Sequence, residues 1–216
     1  VALVDAEGRV LTDSSEDFWI FQRPSAASRS VVLLDADDAV AAKFAEGLGW
    51  PVRVDSHPGP GDLIVCSRGE AYARAGLAVE NGATLLLLEL PPGTYDIGGQ
   101  EVTVETAGFG PRQFVSRNTG HPAVAGFLPN DFRFWHDPSQ DSVTALLDTV
   151  LFADQWSPVL GTVQAGWKIR EPMDALACAE RGFGKGRVVV CQVKLAGRTA
   201  TNPPAELFVR NLLGGA

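Results

Sequence analysis

The 216-residue sequence is short of several things. Its three cysteines, Cys66, Cys178 and Cys191, stand at wide and unequal spacings with no CxxC pair. An odd count without such a pair offers neither a zinc site nor a disulfide framework. No apolar stretch reaches the ~18 residues that a transmembrane helix needs, and no segment reads as a signal peptide. Basic residues are few and scattered: 18 Lys and Arg stand against 26 Asp and Glu, for a net charge of −8. That balance argues against nucleic acid or an anionic membrane as partner, because both demand clustered Lys and Arg. Internal repeats and low-complexity tracts are missing too. The chain begins at Val1 rather than Met, on a segment that is already strand-like. It is therefore expected to be a piece of a longer protein, and its compartment is left open.

What is present is ordinary for a globular domain: 45% hydrophobic and 20% charged residues, enough for one substantial core. The opening pattern predicts a hairpin, with Leu3 and Val4, a turn at Ala6-Glu7-Gly8, then Val10 and Leu11. Phe18 to Phe21 reads as another short strand, and "PSAASRS" (24–30) as a linker. From Ser30 the pattern changes. "SVVLLDADD", "GDLIVCS" and "GATLLLLEL" are continuous apolar runs, and helical segments follow the first two. Such alternation predicts parallel strands buried on both faces. Beyond them "YDIGGQEVTVET" suggests a hairpin at Gly98-Gly99, and "SVTALLDTVLFA" fits a helix or a strand. "WSPVLGTVQAG" and "RVVVCQVKL" read as strands, with "MDALACAERGFGKG" a strand or short helix leading to a turn. "PPAELFVRNLLGG" is an amphipathic closing helix.

Several stretches carry candidate chemistry. "GFGKGR" looks like half a phosphate loop, but it precedes a strand and lacks the Ser or Thr that follows a P-loop lysine, so a turn explains it better. Cys66 ends a strand and precedes a helical segment, a position suited to a nucleophile, yet "VCSRGE" lacks the small residue two positions earlier. Its base would be His121, with Glu89 or Glu70 as the acid; the bland reading is a small buried hydrophobe. Asp35, Asp37 and Asp38 could hold a metal or a ribose, though the favoured reading is that Asp37 or Asp38 caps the helix that starts near Ala39. Phe132, Phe134, Trp135 and His136 crowd one loop and Trp156 follows downstream. Aromatics this dense point to an interface, with sugar stacking as the alternative. No residue pattern calls for a metal or a cofactor.

Three segments together, "HPAVAGFLPNDFRFWHDP", "WSPVLGTVQAG" and "AERGFGKGRVVVCQVKLAGRTATNPPAELFVRNLL", resemble the C-terminal glutamine-amidotransferase-like domain of some glycoside hydrolases, notably β-galactosidase-type enzymes of family 2. The resemblance implies an α/β fold, a flavodoxin-like three-layer sandwich with a mostly parallel sheet, over residues 30–216. Residues 1–24 would be the remnant of a preceding β-sandwich. Active amidotransferases carry a Cys after a central strand and a His and Glu after a late one. Here the elbow after "ATLLLLEL" offers Pro91 and Pro92, and the late strand offers Gln192 and Lys194. The resemblance thus implies a non-catalytic accessory domain, serving domain packing, oligomerisation or the rim of a substrate cleft. Its partners would be other domains of the parent chain, a second copy or carbohydrate. The alternatives are a stand-alone Cys66 enzyme and a carbohydrate-binding module using Trp135 and Trp156.

Overall fold

The computed structural model describes residues 2–13, 30–113, 115–164 and 175–214. The expected strand at Phe18–Phe21 and almost all of the expected linker lie outside the described residues. Strands β1 (Ala2–Val4) and β2 (Val10–Asp13) form an antiparallel hairpin of their own. Then β3 (Val31–Leu33), α1 (Ala39–Gly47), β4 (Val52–Val54), β5 (Leu63–Cys66), α2 (Ala71–Glu80) and β6 (Thr84–Leu88) alternate. A hairpin of β7 (Gly93–Ile97) and β8 (Gln100–Thr106) follows, then the short α3 (Phe109–Gln113) and two 3-10 turns, Pro122–Val124 and Pro129–Phe132. Next come β9 (Trp135–Asp137), β10 (Ser142–Thr144), β11 (Thr149–Phe152), β12 (Ser157–Thr162), β13 (Ala175–Phe183) and β14 (Gly186–Cys191). Helix α4 (Pro203–Gly214) closes the described chain.

One sheet of ten strands dominates, in the order β4-β3-β5-β6-β14-β13-β11-β8-β7, with β12 also pairing β13. The pairings from β4 to β14 are parallel; the five beyond them are antiparallel. This overturns the flavodoxin-like sandwich with a mostly parallel sheet: the sheet is mixed and curled into a half-barrel. In its antiparallel half the β7–β8 and β13–β14 pairs are joined by tight turns, which leave no crossover for the helices that a three-layer sandwich would lay over them. At Gly98-Gly99 the β7–β8 turn has φ of +62° and +76°, the left-handed pair that a two-residue hairpin turn demands. The segment 142–152, open to either reading, contains two strands.

The core lies on both sides of the sheet. Val31, Leu33, Leu63, Val65, Leu86, Leu88, Val189 and Cys191 face the cluster that includes Phe44 of α1 and Phe208 of α4. Their alternating neighbours Val32, Ile64, Cys66, Leu85, Leu87, Val188 and Val190 face the cluster that includes Ala75 and Val79 of α2. Continuous apolar runs therefore arise because both faces of each strand are buried. No helix among the described residues is long and apolar enough to cross a membrane.

Candidate functional site

Parallel strands end together, and polar side chains that the interior cannot hold collect beyond their carboxyl ends. The chain leaves β3 toward β4 on one side and leaves β5 toward β6 on the other, so strand order reverses between β3 and β5. Ligands of open α/β sheets bind at such a crevice. Here the crevice is filled from within. Asp38 is 4% exposed and caps α1 through the Ala41 amide at 3.0 Å. It also accepts the Ser67 amide and hydroxyl, each at 2.8 Å. Burial opposes ionisation, but those donors outweigh it and hold the Asp38 carboxyl below its ordinary value. Arg74 pairs with Asp35 at 2.8 Å and donates to the Leu34 carbonyl, while Arg68 reaches Asp37 at 2.8 Å. Capping accounts for Asp38, and Arg68 and Arg74 account for the other two aspartates.

The open site lies further along the same edge, past β6 and β14. A cavity of about 750 Å³ is lined by Lys43, Glu46, Glu89, Asp137, Lys194 and Arg198, among others. Glu89 follows β6 directly and has φ of +49°, a left-handed conformation uncommon for a residue with a Cβ. Its Oε1 accepts the Leu195 and Ala196 amides at 3.1 and 3.0 Å, fastening the turn after β14. Burial pushes the Glu89 carboxyl up, and those two amides, Arg198 and Lys194 offset only part of it. Asp137 is held down, first by the Ser139 hydroxyl at 2.6 Å. Its other oxygen accepts from Arg198, which is 4% exposed, at 2.7 Å. One carboxyl raised and one lowered is the division that acid and base roles need. Both groups, however, are already turned to internal partners. The arrangement offers hydrogen bonds and charges of both signs to a small polar ligand. Among the described residues, no three His, Cys, Asp or Glu side chains cluster as metal ligands.

The residues singled out from sequence fall elsewhere. Cys66 is 2% exposed, and burial pushes its thiol up to about 12, so the nucleophilic thiolate is disfavoured. His121 accepts the Ala123 amide on Nδ1 at 3.1 Å and lies 3.1 Å from Glu180 through Nε2. Glu180 in turn pairs with Arg187 at 2.8 Å. Both ring nitrogens are thus engaged. Ala123 and Val124, next to His121, pack in the cluster opposite the one that holds Cys66. The structure does not bring the two together.

Phe132 and Trp135 are buried, with Phe132 edge-on to Phe208 at 5.4 Å. The Trp135 indole donates to the Asp131 carbonyl at 2.8 Å. Trp156 is buried in the other cluster beside Phe183, so the two indoles lie on opposite faces. His136 is bound through its backbone to the Asn202 side chain, which accepts the amide at 2.8 Å and donates to the carbonyl at 2.9 Å. Phe134 alone of these aromatics is exposed, at 39%. The "GFGKG" turn joins β13 to β14 at the amino end of the parallel strands, away from the cavity. Sequence reading used Glu89 only as an acid partner for Cys66. Its signal was a charged residue inside the run "LLLLEL".

No protein-family model matches the chain, and no curated protein does. Solved structures do match. The fold is similar to part of a beta-galactosidase from Rahnella sp. R3, with TM-score 0.53 and 10% identity, over 87% of this chain and 31% of that one. A beta-galactosidase from the haloarchaeon Halorubrum lacusprofundi matches at TM-score 0.47 and 15% identity, over 87% and 31%. Gan42B, a GH42 beta-galactosidase, matches at 0.49 and 13%, over 88% and 30%. The chain therefore spans about a third of the length of these proteins. Identity this low shows a shared fold alone. The Rahnella protein is a beta-galactosidase, in line with the glycoside hydrolase side of the resemblance read from sequence. The glutamine-amidotransferase side and the family 2 assignment find no support in these structures.

Proposed function

We propose that the chain is a non-catalytic accessory domain of a glycoside hydrolase, acting through contacts with other domains of its parent or with a second copy. The observation that carries this reading is the lopsided overlap: most of this chain matches under a third of a beta-galactosidase. The state of the chemical candidates supports it, since the Cys66 thiol is buried and both nitrogens of His121 are engaged. Exposed Phe134 and Val143, at 39% and 67%, lie beside and on the β9–β10 hairpin and offer an apolar contact to a neighbour. Buried Trp135 and Trp156 do not, so a carbohydrate-binding role draws nothing from them.

The test is hydrolysis of aryl β-galactosides and of glutamine by the purified chain, with the expected outcome of no turnover of either. Turnover that persists through purification and disappears in Glu89→Gln or Cys66→Ala would overturn the reading and locate the chemistry.

A further inference from the structure

The β13–β14 hairpin sets two cysteines against each other that the sequence separates. Cys178 stands directly opposite Cys191 in the antiparallel register. The Gln192 amide donates to the Ala177 carbonyl at 2.8 Å, and that bond lies outside the cysteine pair. Cys178 and Cys191 therefore occupy a non-hydrogen-bonded position. At such positions Cα atoms approach to ~4.5 Å and side chains are at their closest, inside the ~4.4–6.8 Å span of disulfides. Opposed residues project to one face, and both thiols lie in the cluster beneath α1 and α4, with 0% exposure. Cys66 faces the opposite cluster, so it cannot compete for either partner. All three are free thiols.

We propose that Cys178 and Cys191 form a cross-link site, closed to a disulfide by an oxidant of the small-molecule disulfide class such as oxidised glutathione. One protein thiolate attacks a glutathione sulfur, forming a mixed disulfide and releasing one glutathione thiolate. The second protein thiolate then attacks the protein sulfur of that mixed disulfide and expels the second glutathione. The two protein thiols lose two protons and two electrons, and the oxidant gains both as it becomes two thiols. Burial pushes the Cys178 thiol well up, with the neighbouring Cys191 adding to it. Exchange in the closed hairpin is accordingly slow, and the bond forms while the hairpin is open, during folding or local unfolding. The link would sit on the strand pair where the parallel half of the sheet meets the antiparallel half.

The test equilibrates the whole 216-residue chain in glutathione buffers, from fully reduced to fully oxidised. Urea concentrations span its unfolding transition, so that access is never limiting. Samples are blocked with N-ethylmaleimide in denaturant and weighed intact. The expected result is three maleimide adducts when reduced and, when oxidised, a linked Cys178–Cys191 peptide with Cys66 alone carrying maleimide or glutathione. The oxidised chain should melt about 5 °C higher. A Cys66→Ala variant should carry no adduct when oxidised. Three maleimide adducts at every potential, a persistent glutathione adduct at Cys178 or Cys191, or any link through Cys66 or to a second chain would overturn the proposal.

Discussion

The two halves of the large sheet meet at the β13–β14 pairing and solve the burial problem differently. In the parallel half every residue of β5 is buried, with α1 and α4 on one face and α2 on the other. Nothing polar fits along such strands, so charge is displaced to their carboxyl ends, where Asp38, Glu89 and Arg198 gather. In the antiparallel half β8 buries Val102 and Val104 while its other residues are less buried, and β7 buries only Ile97. Polar residues of that outer hairpin are spread along its strands rather than concentrated at one edge. Where a fold keeps its charged side chains thus follows from how its strands are covered. The carboxyl-end cavity is the consequence here.

The sharpest way to break this contrast is through the aromatic loop, which adds cover to one face of the sheet. Phe132 is 1% exposed and touches Phe127, Trp135 and Phe208. Phe132→Ala should cost about 3–5 kcal/mol in urea unfolding, the range for emptying a core aromatic site. A loss under about 1 kcal/mol would instead mean that the site collapses cheaply and that the loop contributes little to the core. The meeting of the halves comes next. A Cβ at Gly186 would fall on the carbonyl oxygens of Val79 and Ala83, which are backbone atoms unable to step aside. Gly186→Ala should cost about 1–3 kcal/mol by overpacking. The same change at Gly8, which has nothing within 4 Å, should cost less, leaving only the strain of its φ of +80°.

Strands β3, β5, β6 and β14, the β7–β8 hairpin and β12 were readable in the sequence, whereas β4 was missed and β11 and β13 were open to helix as well, for reasons visible in single strands. "LIVC" and "TLLLL" announce themselves because both faces are buried, and no polar residue interrupts them. Strand β13 reads "ALACAERGF". Its buried positions Ala175, Ala177, Cys178 and Ala179 are small, lack β-branching and favour helix as readily as strand. Only pairing with β14 and β12 makes it a strand, and pairing is not a local property. The same limit hid the site. Glu89 gains its role from amides 106 and 107 residues further along, and Cys178 meets Cys191 only once register is set. By contrast the Asp38 cap was readable, since a cap needs only the three residues after it.

Asp38 also separates the closed crevice from the open cavity. Asp38→Ala removes the α1 cap and strands the Ser67 donors, and should cost about 2 kcal/mol. Its carboxyl is lowered in the folded chain relative to 3.8. The stability it contributes is therefore complete above that value and is lost as pH falls through the lower, folded one. Unfolding midpoints followed from about pH 5 downward should drop more steeply in the native chain than in Asp38→Asn. Parallel curves for the two would show that the crevice does not hold the aspartate as an anion.

The smallest expected effect belongs to Glu89, and its sign is the informative part. Its carboxyl is raised in the folded chain above 4.5, so the stability linked to it is complete below that value and is lost as pH rises through the folded one. Glu89→Gln keeps a carbonyl oxygen for the Leu195 and Ala196 amides but removes the buried charge. At pH 7 the variant should match or exceed the native chain by under about 1 kcal/mol, with the advantage shrinking toward pH 4. A variant that is instead weaker at pH 7 would show that the charge itself holds the turn, through Lys194 and Arg198. The cavity edge would then resemble the crevice, held by ion pairs, and the difference between the two ends of that edge would lie only in how completely each is filled.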